Sequence, residues 1–212
     1  MQIKVCGLTN NRNLLEIARL SPEYMGFIFH KSSPRDVSDI IGQLQLNAIP
    51  PSVKKVAVVV DQPAGKVFEL VEKYGFDAVQ LHGSEDPEYC RQFKPVCRVI
   101  KAFRIKHQLP PDLEDYEGSC HYFLFDAKGK YAGGNGIKFN HDILKSYRYK
   151  TPYILSGGIG DYDLPYLLDI DLEGMTGVDL NSRFELSPGY KSISSLKVFI
   201  QKLRSRDTVK KH

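Results

Sequence analysis

Short apolar runs alternate with longer, helix-patterned polar stretches along the whole chain. Residues 2–6 read as a strand ending at Cys6, and 11–20 as a helix capped by Asn10 or Asn11. A second strand is predicted at 24–29, then a polar loop through Ser32, Ser33, Pro34 and Arg35, then a helix over about 38–48 stopped by Pro50 and Pro51. Residues 55–60 are almost wholly β-branched, the pattern of a parallel strand buried on both faces. A helix over 65–74 stops at Gly75, strand 78–81 precedes a helix ending near Phe93, and strand 98–103 follows. Between 106 and 119, Pro110, Pro111 and several acids leave a helix that is short or missing. The series closes with strand 121–125, a helix near 140–147, strand 152–155, helix 161–169, strand 174–179 and helix 192–204.

Eight strand-then-helix units without a linker predict a single (β/α)₈ barrel over residues 1–204. An open doubly wound sheet is the competing arrangement, because periodicity does not reveal closure. With 212 residues the chain is long enough to bury a full core.

Composition changes this picture little. The chain is 42% hydrophobic and 25% charged, ordinary for a globular protein. Of the net charge of +4, +3 sits in residues 204–212, so the body is close to neutral and lacks a nucleic-acid footprint. Residues 205–212 are expected to be a basic, disordered tail. No run approaches the ~18–20 apolar residues of a bilayer span, and no signal peptide is visible at the N-terminus. Cysteines at 6, 90, 97 and 120 form no C-x-x-C pair and have no histidines at zinc spacing. They are expected to be free thiols in the cytoplasm.

In a barrel of this kind, chemistry sits at the C-terminal ends of strands, where Cys6, Asp126, Ser156 and Asp179 all fall. Cys6 ends the first strand and Asp126 the sixth. A proton acceptor and a proton donor at two strand ends suggest proton-transfer chemistry. Arg35, in a loop stiffened by Pro34, offers a planar fork suited to a carboxylate. His82 and Asp179 are expected to be structural, the first hydrogen-bonding the barrel rim and the second holding loop amides. Cys90, Cys97 and Cys120 are expected to pack.

Eight motifs occur in order: Lys4-Val5-Cys6-Gly7-Leu8-Thr9; Gly26-Phe27-Ile28-Phe29 with Ser33-Pro34-Arg35; Gln80-Leu81-His82-Gly83; Phe125-Asp126; Gly133-Gly134-x-Gly136; Ser156-Gly157-Gly158; Gly177-Val178-Asp179; and Pro188-Gly189-x-Lys191. In this set the chain resembles the phosphoribosylanthranilate isomerase family of tryptophan biosynthesis, from residue 2 to about 200. The resemblance implies an Amadori rearrangement with Cys6 as general base and Asp126 as general acid. It also implies Arg35 facing the anthranilate carboxylate and no metal or redox cofactor. The ligand is then a small phosphosugar, with weak association with other enzymes of the pathway as a compatible partner role. Phosphate is expected on Ser156, Gly157 and Gly158 and on Asn181 and Ser182, where barrel phosphate sites commonly occur, with Gly133 and Gly134 closing over the ligand. Departures from the family pattern are Asn135, Asp61, Ser192 and the Asn181-Ser182-Arg183 run.

Two rivals remain at this point. A histidine-pathway aminoaldose isomerase would place an aspartate where this chain has Cys6. A catalytically dead phosphosugar-binding protein would lose Cys6 or Asp126. No second domain is expected. A free thiol is only a few per cent thiolate near neutrality, so Cys6 needs a nearby cation. Arg35 is the expected one, with Lys4 set aside as facing the other way.

Overall fold

The computed structural model describes residues 1–127 and 140–209, with side chains to Ser205. Eight parallel strands close into a barrel in sequence order: β1 (Gln2–Cys6), β2 (Tyr24–Phe29), β3 (Lys54–Val59), β4 (Ala78–Leu81), β5 (Arg98–Ile105), β6 (Tyr122–Ala127), β7 (Tyr153–Leu155) and β8 (Met175–Leu180). Closure comes from β8 pairing with β1, with Lys4 opposite Asp179. The open-sheet alternative is thereby excluded. After β8 the chain adds a small antiparallel hairpin, β9 (Glu185–Ser187) and β10 (Tyr190–Lys191).

Strand side chains alternate between two cores. One set, including Cys6, Ile28, Val58, Ile100, Leu124 and Ile154, fills the barrel interior. The other, including Val5, Phe27, Val59, Val79, Phe125 and Leu180, packs outward under the crossovers. Strands buried on both faces explain the continuous apolar runs in the sequence.

The crossovers are helical where local signals agree. α1 (Asn11–Ala18) starts at Asn10, whose side chain accepts from the Asn13 amide. α2 (Ala64–Tyr74) stops at Gly75 in the left-handed region, φ +61°. α3 (Pro87–Phe93) has Asp86 as its cap and proline at its first position. α4 (Leu164–Asp169) follows a 3₁₀ turn, and α5 (Ile193–Val209) packs against α4 and α1.

Three crossovers depart from a regular helix. The segment after β5 is a short 3₁₀ turn, Leu113–Tyr116, in line with the shortened fifth helix. The helix expected at 38–48 is instead two 3₁₀ turns, Ile41–Gln43 and Leu46–Ala48. Gly42 weakens a helix there. The Asn11 side chain then donates to the Gln43 carbonyl and accepts from the Gln45 amide, satisfying these groups outside a helical ladder. His141–Ser146 is likewise 3₁₀ rather than α. α5 runs five residues past the expected end of the barrel at 204.

Candidate active site

The C-terminal ends of the strands surround a narrow cavity that is partly open to solvent. β1 contributes Cys6, β6 contributes Asp126, and the turn after β7 contributes Ser156, Gly157 and Gly158. Asp179, Asn181 and Ser182 come from the end of β8 and the turn beyond it. Cys6 and Asp126 therefore face one space although 120 residues apart in sequence. Gly133 and Gly134 lie outside the described residues.

Cys6 sits against β2 at Gly26, its directly paired partner. A Cβ on Gly26 would lie 2.7 Å from the sulfur, so only glycine leaves room for the thiol there. Burial pushes the thiol pKa up, and the Lys4 ammonium opposes that rise. The Asp179 carboxylate adds to the rise, and Lys191 gives a weaker opposing contribution.

Lys4 is thus the principal cation acting on Cys6, contrary to the expectation from sequence. Residues i and i+2 of a strand share a face, and Lys4 lies two before Cys6, pointing into the barrel. Its Nζ donates to Asp179 Oδ1 at 2.9 Å, with both side chains buried. Among the described residues, Asp179 accepts from Lys4 and Ser156 rather than from loop amides. Its second oxygen accepts from the Ser156 hydroxyl at 3.3 Å.

Arg35 does not line the cavity. Its Cδ lies 2.6 Å from where a Cβ on Gly7 would stand, so its stem crosses the turn after Cys6. The guanidinium forks onto Glu185, with Nε donating to Oε1 at 2.8 Å and Nη2 to Oε2 at 2.6 Å. Lys191, fully buried, donates to Glu185 Oε1 at 2.8 Å and to Asn181 Oδ1 at 2.7 Å. One carboxylate therefore holds two cations. Burial alone would raise the Glu185 pKa, but bonding to Arg35 and the Lys191 charge outweigh it and hold it below its ordinary value. Lys191 falls below the usual lysine value because burial outweighs the pull of Glu185.

Asp126 is 5% exposed. Its Oδ1 accepts from the Ala127 amide at 2.9 Å and lies 3.5 Å from the Ser156 hydroxyl. The His82 ring faces it, with Nε2 at 3.4 Å from Oδ2, too poorly aligned for a hydrogen bond. On its other side the ring pairs through Nδ1 with the Gln80 side-chain amide at 2.8 Å. His82 therefore belongs to the cavity, not to the rim. Ser156, at the start of the turn after β7, likewise turns its hydroxyl to two carboxylates. There Gly157 has φ +93°, and a Cβ on it would meet the Ala127 nitrogen at 2.7 Å. Glycine permits that conformation and lets amides approach an anion closely.

Sequence reasoning missed Lys4, His82 and Glu185 as members of this constellation. The first two were legible in strand parity and position. Glu185 carried no signal, because its partners come from β10 and the loop after β2. Cys90 and Cys120 are buried, and Cys97 is partly buried.

The family model for N-(5'-phosphoribosyl)anthranilate (PRA) isomerase matches residues 3–202. The N-(5'-phosphoribosyl)anthranilate isomerase of Phocaeicola vulgatus is 38% identical over 210 residues, covering 97% of this chain and 99% of that protein. Among solved structures, the phosphoribosyl anthranilate isomerase of Thermus thermophilus superposes with a TM-score of 0.80 at 30% identity, over 97% of this chain and 99% of that one. A phosphoribosyl anthranilate isomerase solved with reduced 1-(o-carboxyphenylamino)-1-deoxyribulose 5-phosphate matches at TM-score 0.74 and 26% identity, over 97% and 99% of the two chains. A match over nearly the whole length, on a closed eight-stranded barrel, places this chain in the N-(5'-phosphoribosyl)anthranilate isomerase family.

Proposed function

We propose that this chain converts N-(5-phosphoribosyl)anthranilate to 1-(2-carboxyphenylamino)-1-deoxyribulose 5-phosphate, with Cys6 as base and Asp126 as acid. The observation that carries the reading is the meeting of these two side chains in one strand-end cavity. Asp126 gives a proton to the furanose ring oxygen, and the bond from that oxygen to C1′ breaks. The substrate nitrogen supplies the electron pair, forming an iminium. The Cys6 thiolate removes the proton on C2′ and becomes a thiol, and the electrons move to give an enolamine. Tautomerisation to the ketone completes the isomerisation with no net oxidation.

The phosphate is assigned to the turn at Gly157–Gly158 and to Asn181–Ser182, in the usual position for barrel phosphate sites. Lys191 ties Asn181 to the Glu185 cluster and brings positive charge to that side. Because Glu185 takes the Nε and Nη2 edge of Arg35, the substrate carboxylate is assigned to the Nη1 side of the fork. A cytoplasmic setting fits the four free thiols.

The test is direct. Phosphoribosylanthranilate is generated in situ and its fluorescence followed as protein is added. Acceleration over the spontaneous loss is expected, and none would refute the activity. Cys6→Ala and Asp126→Ala should each lower kcat by about 10²–10⁴-fold, the usual worth of a placed proton transfer, with melting temperatures close to the parent.

A further inference from the structure

Lys4 occupies a position that is costly for an ammonium. It is wholly buried in the barrel interior, where a charge persists only if paired. Two groups share it. Asp179 takes its hydrogen bond at 2.9 Å, and the Cys6 thiol, two residues on along the same face of β1, feels its charge. The sharing is set by the barrel itself, because Lys4 and Asp179 are opposite each other in the β1–β8 register and Cys6 follows Lys4 on the same face. Asp179 also accepts from the Ser156 hydroxyl, so it is anchored from a third strand end.

We propose that Lys4 and Asp179 are positioning residues for the base, the Lys4 ammonium stabilising the Cys6 thiolate and Asp179 both holding that ammonium and limiting how much of its charge reaches the sulfur. This rests on the assignment of Cys6 as base. Its physical content is a pair of opposite effects on a single thiol.

The other groups around Cys6 do not supply this control. β2 presents Gly26 there, which carries no charge. Arg35 crosses Gly7 but turns its guanidinium to Glu185. Lys191 gives a weaker contribution, and it too is engaged by Glu185. Asp126, His82 and His30 line the same cavity. Burial and Asp179 push the thiol pKa up while Lys4 pulls it down. Lys4 itself is held above the ordinary lysine value, because Asp179 and Cys6 outweigh the burial that would lower it.

The experiment measures the thiol and not turnover. Intact protein is treated with iodoacetamide across a pH series, and each cysteine is quantified by peptide mass spectrometry in the parent, Lys4→Met, Lys4→Arg and Asp179→Asn. At pH 7, Lys4→Met should slow alkylation of Cys6 by about tenfold or more, the effect of removing a neighbouring opposite charge. Asp179→Asn should accelerate it, and Lys4→Arg should stay near the parent. Cys90, Cys97 and Cys120 serve as internal references and should not change. Burial already holds the Cys97 thiol at about 11. The acidic limb of kcat/KM should move to higher pH in Lys4→Met and to lower pH in Asp179→Asn.

The proposal is overturned if both substitutions move Cys6 in the same direction, or if all four cysteines change together, which would mark a loosened fold. Should Lys4→Met fail to fold, Asp179→Asn decides alone, and a Cys6 that is not accelerated overturns the proposal. Failure of the underlying assignment looks different. Full turnover in Cys6→Ala would remove Cys6 as base while leaving the opposite alkylation shifts in place.

Discussion

Gly26→Ala tests how closely the Cys6 thiol is held. The added methyl carbon would lie 2.7 Å from the Cys6 sulfur and 3.3 Å from its Cα and Cβ. Ordinary non-bonded separations are about 3.5–4.0 Å, so the sulfur must retreat by about 1 Å or β1 and β2 must part. The two strands are hydrogen-bonded at this register, and the surrounding barrel interior is filled. The side chain is therefore what yields. A displacement of about 1 Å in a reacting group costs on the order of 100-fold in rate. The same crowding should destabilise the fold by about 1–3 kcal/mol, the usual range for overpacking. At about 2–4 °C per kcal/mol for a chain of this size, melting should fall by roughly 2–12 °C. Steady-state turnover of phosphoribosylanthranilate generated in situ, beside a melt followed by circular dichroism, reads both quantities. A variant with kcat within threefold of the parent and an unchanged melt would refute the argument that Gly26 exists to admit the thiol.

Arg35→Ala should raise KM by about tenfold or more, the loss of one charge-assisted hydrogen bond, while changing kcat less; an unchanged KM would contradict the carboxylate assignment. Glu185→Ala leaves Arg35 and Lys191 buried without their shared anion and should cost about 3–5 kcal/mol in denaturant unfolding near neutral pH; a loss below about 1 kcal/mol would show that the cluster does not stabilise the fold. The folded state holds the Glu185 carboxyl below its ordinary value of 4.5, so its ionic contribution is complete above that value and lost as pH falls through the folded one. The stability gap between the parent and Glu185→Gln should therefore narrow below pH 4.5, and a gap that widened on acidification would refute the sign.

The order of strands and the placement of Cys6 and Asp126 at strand ends are local properties, and the sequence determines them. Doubly buried strands read as apolar runs, such as Val56–Val59, whatever they pack against. A residue at a strand's C-terminal end stands at the barrel mouth, which is why Cys6 and Asp126 were legible. The missing fifth helix was visible in Pro110 and Pro111. What failed locally failed for tertiary reasons: the 38–48 segment is helix-patterned, yet the Asn11 side chain draws its backbone out of the helical ladder.

The charges around the site were decided only by closure. Bringing β8 beside β1 sets Asp179 against Lys4, and the β9–β10 hairpin swings Glu185 under Arg35, pairings across 175 and 150 residues. Coulomb energy depends on distance and burial, neither of which a linear sequence carries. The chain determined which residue is the candidate base. The barrel determined that its cation is Lys4, because Arg35 was already taken.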